Sequence, residues 1–119
     1  MKVVILAGGM GTRLSEYTYS TPKPMVKIGK FPMIIHIMKH YVKYDFTDFI
    51  IATGYKGVAF KKYFKSFKKN SNSFAIKISN KKCNVKIVDT GLNTLTGGRL
   101  KRVKNLLNNE KNFMFTYGD

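Results

Sequence analysis

The sequence predicts an α/β fold: an open, mostly parallel sheet with helices on both faces. Three observations carry that expectation. Strand-like and helix-like segments alternate as strand, helix, strand, helix, then strand, helix, strand. The first two strand-like segments are nearly continuous apolar runs rather than alternating ones, which is the pattern of strands covered on both faces. Right-handed crossovers through the intervening helices make most of such a sheet parallel.

Lys2 to Ala7 is a β-branched run that reads as the first buried strand, and a glycine-rich turn, Gly8-Gly9-Met10-Gly11, ends it. Pro32 to Tyr44 reads as a helix, because Ile34, Ile35, Ile37, Met38, Tyr41 and Val42 recur at helical spacing and Pro32 suits the first turn. His36 falls between core-facing positions of that helix. Asp48 to Thr53 reads as the second buried strand, closed by Gly54. Val58 to Phe67 is a lysine-rich amphipathic helix with Phe60, Tyr63, Phe64 and Phe67 on its apolar side, and that stripe reads as core. Lys68 to Ser73 reads as a polar loop. Phe74 to Ile78 and Val85 to Ile87 alternate, so each reads as a strand with one wet face. Arg99 to Asn108 reads as a helix through Leu100, Val103, Leu106 and Leu107, and Phe113 to Tyr117 as a last strand before Gly118-Asp119.

Composition bounds the function classes. At 119 residues, 44% hydrophobic and 13% aromatic, the chain is about one domain with a real core and is not disordered. No apolar run approaches the ~20 residues of a membrane span, and Val3 to Ala7 is shorter than the ~7–15 residues of a signal-peptide core. Cys83, as the one cysteine, forms no internal disulfide and no cysteine-rich metal site. These features point to the cytoplasm. Twenty-two Lys+Arg against six Asp+Glu give a net charge of +16, which invites a nucleic-acid reading. Two details argue against it. Only Arg13, Arg99 and Arg102 are arginines, the residue type that base and phosphate readers favour. The lysine excess also comes with asparagine enrichment at Asn105, Asn108, Asn109 and Asn112, the drift expected of an AT-rich genome. Such a charge still concentrates anionic small molecules near the surface.

Two motifs carry chemistry. The first is Leu6-Ala7-Gly8-Gly9-Met10-Gly11-Thr12-Arg13-Leu14, directly after the first strand. Glycines let the backbone approach a ligand, and consecutive amides in such a turn form an anion-binding concavity. Arg13 adds a planar donor fork suited to phosphate oxygens. The motif is not a P-loop, since no Gly-Lys-Ser/Thr closes it, nor a dinucleotide fingerprint, since Leu14 holds the third glycine position. The second motif is Thr21-Pro22-Lys23-Pro24-Met25, in which two prolines restrict the backbone around Lys23 and reduce the freedom it loses on binding a phosphate. Taken singly, each is also compatible with an ordinary turn or a solvated loop lysine. His36 and His40 lie four apart on one helix but have no carboxylate or cysteine partner in the pattern, so they read as structural.

Together the two motifs resemble the signature of sugar-1-phosphate nucleotidylyltransferases. Ser15-Glu16, Gly54-Tyr55-Lys56-Gly57, Asp89-Thr90-Gly91, Thr96-Gly97-Gly98-Arg99-Leu100-Lys101-Arg102 and Phe115-Thr116-Tyr117-Gly118-Asp119 resemble, in order, blocks of the glucose-1-phosphate cytidylyltransferase family. The resemblance runs over essentially the whole chain and implies a Rossmann-like nucleotidyltransferase fold. It implies that residues 1–119 are the nucleotide-binding part of such a domain, truncated at its C-terminal end.

The implied reaction passes a cytidylyl group from CTP to α-D-glucose 1-phosphate, giving CDP-glucose and pyrophosphate, in the supply of sugar nucleotide for surface polysaccharide such as O-antigen. Its attacking group is a phosphate oxygen, already anionic near neutral pH, so positioning and charge neutralisation do the catalysis. By resemblance, Leu6, Ala7, Gly8, Gly9 and Met10 line the nucleotide, and Gly11, Thr12 and Arg13 hold its phosphates. Lys23 reaches the α-phosphate or the sugar phosphate and, with Arg13, counts as catalytic; Thr94 and Arg99 contact the nucleotide. Asp119 would coordinate Mg²⁺, which is usually held by one or two carboxylates plus phosphate oxygens. The resemblance also implies a homo-oligomer for a full-length enzyme. A chain stopping at the first metal ligand is expected to turn over no CDP-glucose by itself. Two alternatives stand beside this reading: a thymidylyl- or uridylyltransferase of the same superfamily, and a non-catalytic nucleotide- or nucleic-acid-binding module.

Overall fold

The computed structural model of the protein describes residues 2–7, 23–54, 58–65, 68–70, 73–90, 98, 101, 103–104 and 113–118. Its centre is a six-stranded sheet. The first strand, β1 (Lys2–Ala7), lies between β4 (Asp48–Thr53) and β8 (Met114–Tyr117), and both neighbours run parallel to it. Beyond β4 comes β7 (Lys81–Asp89), again parallel; then β6 (Ser73–Ile78) and β5 (Lys68–Asn70) are added antiparallel at the edge. A small hairpin of β2 (Lys27–Ile28) and β3 (Phe31–Pro32) stands apart from this sheet. Two helices of the described residues complete the pattern, α1 (Met33–Val42) and α2 (Val58–Lys65).

The predicted mostly parallel α/β sheet is the observed one, and its helices take the faces that chain travel demands. Moving from β1 to β4 and on to β7, the chain packs α1 and α2 on one face. There Ile34, Ile35, Met38 and Val42 of α1 and Phe60 and Phe64 of α2 join Val3, Ile5, Phe49, Ile51, Val85 and Ile87 in one core. Returning past β1 to β8 reverses the direction of travel, and a constant crossover hand then requires a helix on the other face. Val103, a helical residue, is fully buried there with Val4, Leu6, Ile50 and Ala52. The odd and even residues of β1 thus feed opposite cores, which is why its sequence shows no polar alternation.

Several local features differ from the sequence expectation. Lys68–Asn70 is an edge strand rather than loop, and a lysine-bearing segment suits the rim of a sheet. Strand β7 extends well beyond Val85 to Ile87 because Ser79 and Asn80, both at positive φ, make a two-residue hairpin turn from β6. Gly29, at φ 69°, opens the equally tight turn between β2 and β3. His36 is exposed, not core-facing, and its Nε2 bonds the Ile28 carbonyl at 2.8 Å, tying α1 to that hairpin. Helix α1 stops in a Schellman arrangement. Asp45 takes the left-handed conformation, Phe46 N–H donates to Tyr41 O, Asp45 N–H donates to Val42 O, and the Tyr41 and Phe46 rings meet edge-on. Lys81 bonds both the Val42 carbonyl and the Asp45 carboxylate, adding a cation where the helix ends.

Of the stripe read as core on α2, Phe60 and Phe64 are fully buried and Tyr63 partly so, while Phe67 lies outside the described residues. Most of 99–108 lies outside them as well. On β8 and the residue before it, Phe113, Phe115 and Tyr117 are exposed, whereas Met114 packs against the core. No described helix is long and apolar enough to cross a membrane.

Cys83 is buried in the core on β7, and burial pushes its thiol above the ordinary range, reinforced by the Asp48 carboxylate and opposed by a backbone bond from Ile78 and by Lys81. Because the folded value is raised, the neutral thiol favours folding below the unfolded value, and that contribution is lost as pH rises through the folded one. Native protein is therefore expected to react with a disulfide thiol reagent such as DTNB far more slowly than urea-unfolded chain at the same pH. Equal rates would contradict a buried, protonated Cys83.

Candidate functional site

The strand order marks the edge at which open α/β sheets bind ligands. In sequence order the parallel strands run outward from β1 to β4 and β7, and then β8 appears on the other flank of β1. The direction reverses between β1 and β8, and open α/β sheets bind ligands outside the carboxyl ends of their strands at such a reversal. Because β1, β4, β7 and β8 are parallel, their carboxyl ends, Ala7, Thr53, Asp89 and Tyr117, share one edge. The residues next in the chain are Gly8-Gly9, Gly54-Tyr55, Thr90-Gly91 and Gly118-Asp119, respectively. All four glycine-bearing segments therefore leave the sheet at the same edge.

Contacts at the reversal are tight. Gly118 N–H donates to the Leu6 carbonyl at 3.0 Å, continuing the β1–β8 ladder by one residue. Gly118 is buried, and a Cβ placed on it would lie 2.8 Å from Pro24 Cγ, 3.1 Å from Pro24 Cβ and 3.5 Å from Ala7 Cβ. Pro24 sits in a short 3-10 turn, Lys23–Met25, whose Met25 enters the core, and Met33 N–H bonds the Val26 carbonyl just beyond it. The second motif is thus seated on the end of β1 and the end of β8 at once.

Farther along the edge, Thr90 donates both its backbone N–H (2.8 Å) and its Oγ1 hydroxyl (2.9 Å) to the Thr53 carbonyl, and Thr53 Oγ1 donates to the Val88 carbonyl at 3.3 Å. Both threonines are buried. They join the ends of β4 and β7. Nothing in the sequence signals these bonds beyond the Asp89-Thr90-Gly91 block.

Of the residues expected to form the site, Leu6 and Ala7 are placed at the reversal, with Leu6 buried on the Val103 face and Ala7 on the α1 face. The backbone of Lys23 is placed in the 3-10 turn directly before Pro24. Gly8, Gly9, Met10, Gly11, Thr12, Arg13, Thr94, Arg99 and Asp119 lie outside the described residues. In sequence, Gly8 directly follows β1 and Asp119 directly follows Gly118. Among the described residues no three His, Cys, Asp or Glu side chains come together to hold a metal. Asp89 is the one described carboxylate at the carboxyl edge, and β4 separates its strand from β1. Asp119, by contrast, directly follows the strand end that flanks β1 at the reversal, and a carboxylate there is the donor type a hard divalent cation takes. His36 and His40 sit on the exposed side of α1, where His40 meets Tyr41 and Tyr44 edge-on.

Residues 2–119 match the family model described as nucleotidyl transferase. The chain is similar to the glucose-1-phosphate cytidylyltransferase of Salmonella typhimurium, at 46% identity over all of this chain and 50% of that protein. It spans about half the length of the curated relatives it matches in full. Among solved structures, HddC from Yersinia pseudotuberculosis complexed with GMP-PN aligns at TM-score 0.73 and 27% identity, covering 99% of this chain and 47% of that one. UTP-bound UGPase from Acinetobacter baumannii aligns at TM-score 0.77 and 19% identity over 98% of this chain and 45% of that one, a likeness of fold.

Proposed function

Because this chain belongs to the nucleotidyl transferase family, we propose that it carries the nucleotide side of a reaction between CTP and α-D-glucose 1-phosphate. The products are CDP-glucose and pyrophosphate. The observation that carries the phosphate-binding reading is the meeting of Ala7, Pro24 and Gly118 at the sheet reversal, since each is covalently next to a residue suited to phosphate or metal. Similarity to the Salmonella enzyme supports cytidine as the base and glucose 1-phosphate as the acceptor.

In this reading an oxygen of the sugar phosphate attacks the α-phosphorus of CTP in line. One P–O bond forms, the α–β anhydride bond breaks, and pyrophosphate leaves with the electron pair. No general base is needed, because the nucleophile is already ionised. Gly11 and Thr12 hold the triphosphate together with Arg13, and Leu6 to Met10 line the nucleotide. Arg13 stabilises charge on the departing pyrophosphate, Lys23 that on the α-phosphate or the incoming sugar phosphate. Thr94 and Arg99 add nucleotide contacts from the segment that leaves β7. Asp119 would hold Mg²⁺, and the bound ion would supply further charge neutralisation. The reading takes the cytoplasm, where CTP is available, as the compartment.

Isothermal calorimetry tests it. With Mg²⁺ present, the chain is expected to bind CTP in preference to ATP. Equal or tighter binding of ATP would remove the cytidine assignment, and no binding of either would remove the nucleotide reading.

A further inference from the structure

Gly118 is not in the left-handed region of backbone conformation, where among the described glycines only Gly29 falls. Its missing side chain therefore serves space rather than backbone geometry. That space is filled by the ring of Pro24, a buried residue, with the methyl of Ala7 completing the contact. Three segments that are far apart in sequence touch here through their smallest or stiffest residues. Lys23 precedes Pro24, Gly8 follows Ala7, and Asp119 follows Gly118.

We propose that the Pro24–Gly118 contact is a positioning device, which sets the spacing between the lysine-bearing turn and the strand end that bears the acidic residue. The inference rests on the phosphate-binding reading of Lys23 and Asp119 given above. Its physical basis is that proline transmits displacement. The ring fixes a backbone torsion of Pro24, and Met25 anchors the next residue in the core, so the turn has little freedom to absorb a push at Pro24 by local rotation. A methyl group on Gly118, 2.8 Å from Pro24 Cγ, must therefore move the turn or the end of β8, and either movement changes the spacing between the two segments. Pro24 and Gly118 touch no ligand themselves in this account. They act through their neighbours.

The test compares the affinities of the chain for CTP with Mg²⁺ and for cytidine, by calorimetry well below the melting temperature. Gly118→Ala is expected to weaken CTP binding about tenfold, because small misplacements of charged groups cost heavily, and to leave cytidine binding unchanged. The size-swapped double variant Gly118→Ala/Pro24→Ala removes the crowded Cγ and is expected to bind CTP more tightly than Gly118→Ala alone. Pro24→Ala by itself introduces no clash and so serves as the variant that folds, with a severalfold loss for CTP and none for cytidine. A role confined to packing would lower the melting temperature but leave the CTP-to-cytidine ratio of folded protein unmoved. An unchanged ratio in Gly118→Ala and Pro24→Ala, or a double variant no better than Gly118→Ala, overturns the positioning role while the nucleotide reading stands. If the unsubstituted chain binds CTP no better than cytidine, the phosphate reading itself fails and the positioning role falls with it.

Discussion

Replacing Arg13 with alanine is expected to weaken CTP binding about ten- to hundredfold and to leave cytidine binding unchanged. A charge-assisted guanidinium–phosphate contact contributes roughly 1.5–3 kcal/mol, which converts to that range. The effect is confined to the phosphates because Arg13 closes the glycine run after Gly11-Thr12, where phosphate rather than base contacts are assigned. Arg13→Lys separates charge from shape: it keeps the cation, loses the planar fork, and is expected to fall between the two. Calorimetry with CTP and cytidine reads both effects. Normal CTP affinity in Arg13→Ala would mean that the phosphates lie elsewhere.

The largest expected loss of stability comes from Phe64→Ala, at about 3–5 kcal/mol. Helix α2 has only eight residues, fewer than the ~12–15 at which an isolated helix begins to hold in water. It stays on the sheet through Phe60 and Phe64, both fully buried, with the Phe64 ring centroid 6.1 Å from that of Phe74 on β6 and 5.2 Å from that of Tyr63. Truncation removes the anchor at the end of the helix, and a domain of this size has only about 5–15 kcal/mol in total. Urea denaturation checks the magnitude, with exposed Lys62→Ala as a control expected to stay within about 0.5 kcal/mol. A midpoint shift no larger than that of the control would show that α2 is held by something other than its aromatic stripe.

How much of the fold is legible in the sequence depends on how local each signal is. Strands β1 and β4 announce themselves because both faces are covered, so that neither needs a polar residue in its interior. Helix α1 is equally legible, since Ile34, Ile35, Met38 and Val42 record a single buried stripe. Strand β5 is not, because Lys68, Lys69 and Asn70 are held by backbone pairing to β6 and carry no apolar pattern. Nor is the hairpin of β2 and β3, whose two-residue strands are too short for any alternation. At the site, the glycine run and the two prolines are local signals that the sequence itself displays. That Pro24 comes to rest on Gly118 is a tertiary fact, since neither residue's neighbours in sequence specify the other. His36 is a further case: helical spacing places it between core-facing positions, whereas the nearby hairpin carbonyl of Ile28 supplies a polar partner at the surface.

The hydrogen bond from Gly118 to Leu6 also has a kinetic meaning. It joins Leu6 to Gly118, so the pairing of β1 with β8 has to close a loop of more than a hundred residues. Turns such as Ser79-Asn80 and the first winding of α1 need only neighbours, and they can form and re-form long before that closure. The reversal itself is not in place until this slow class of contact, the non-local parallel pairing, has formed. Partly folded chains therefore lack the paired strand ends of the reversal, and a nucleotide that binds there, as proposed, selects molecules that have completed the fold.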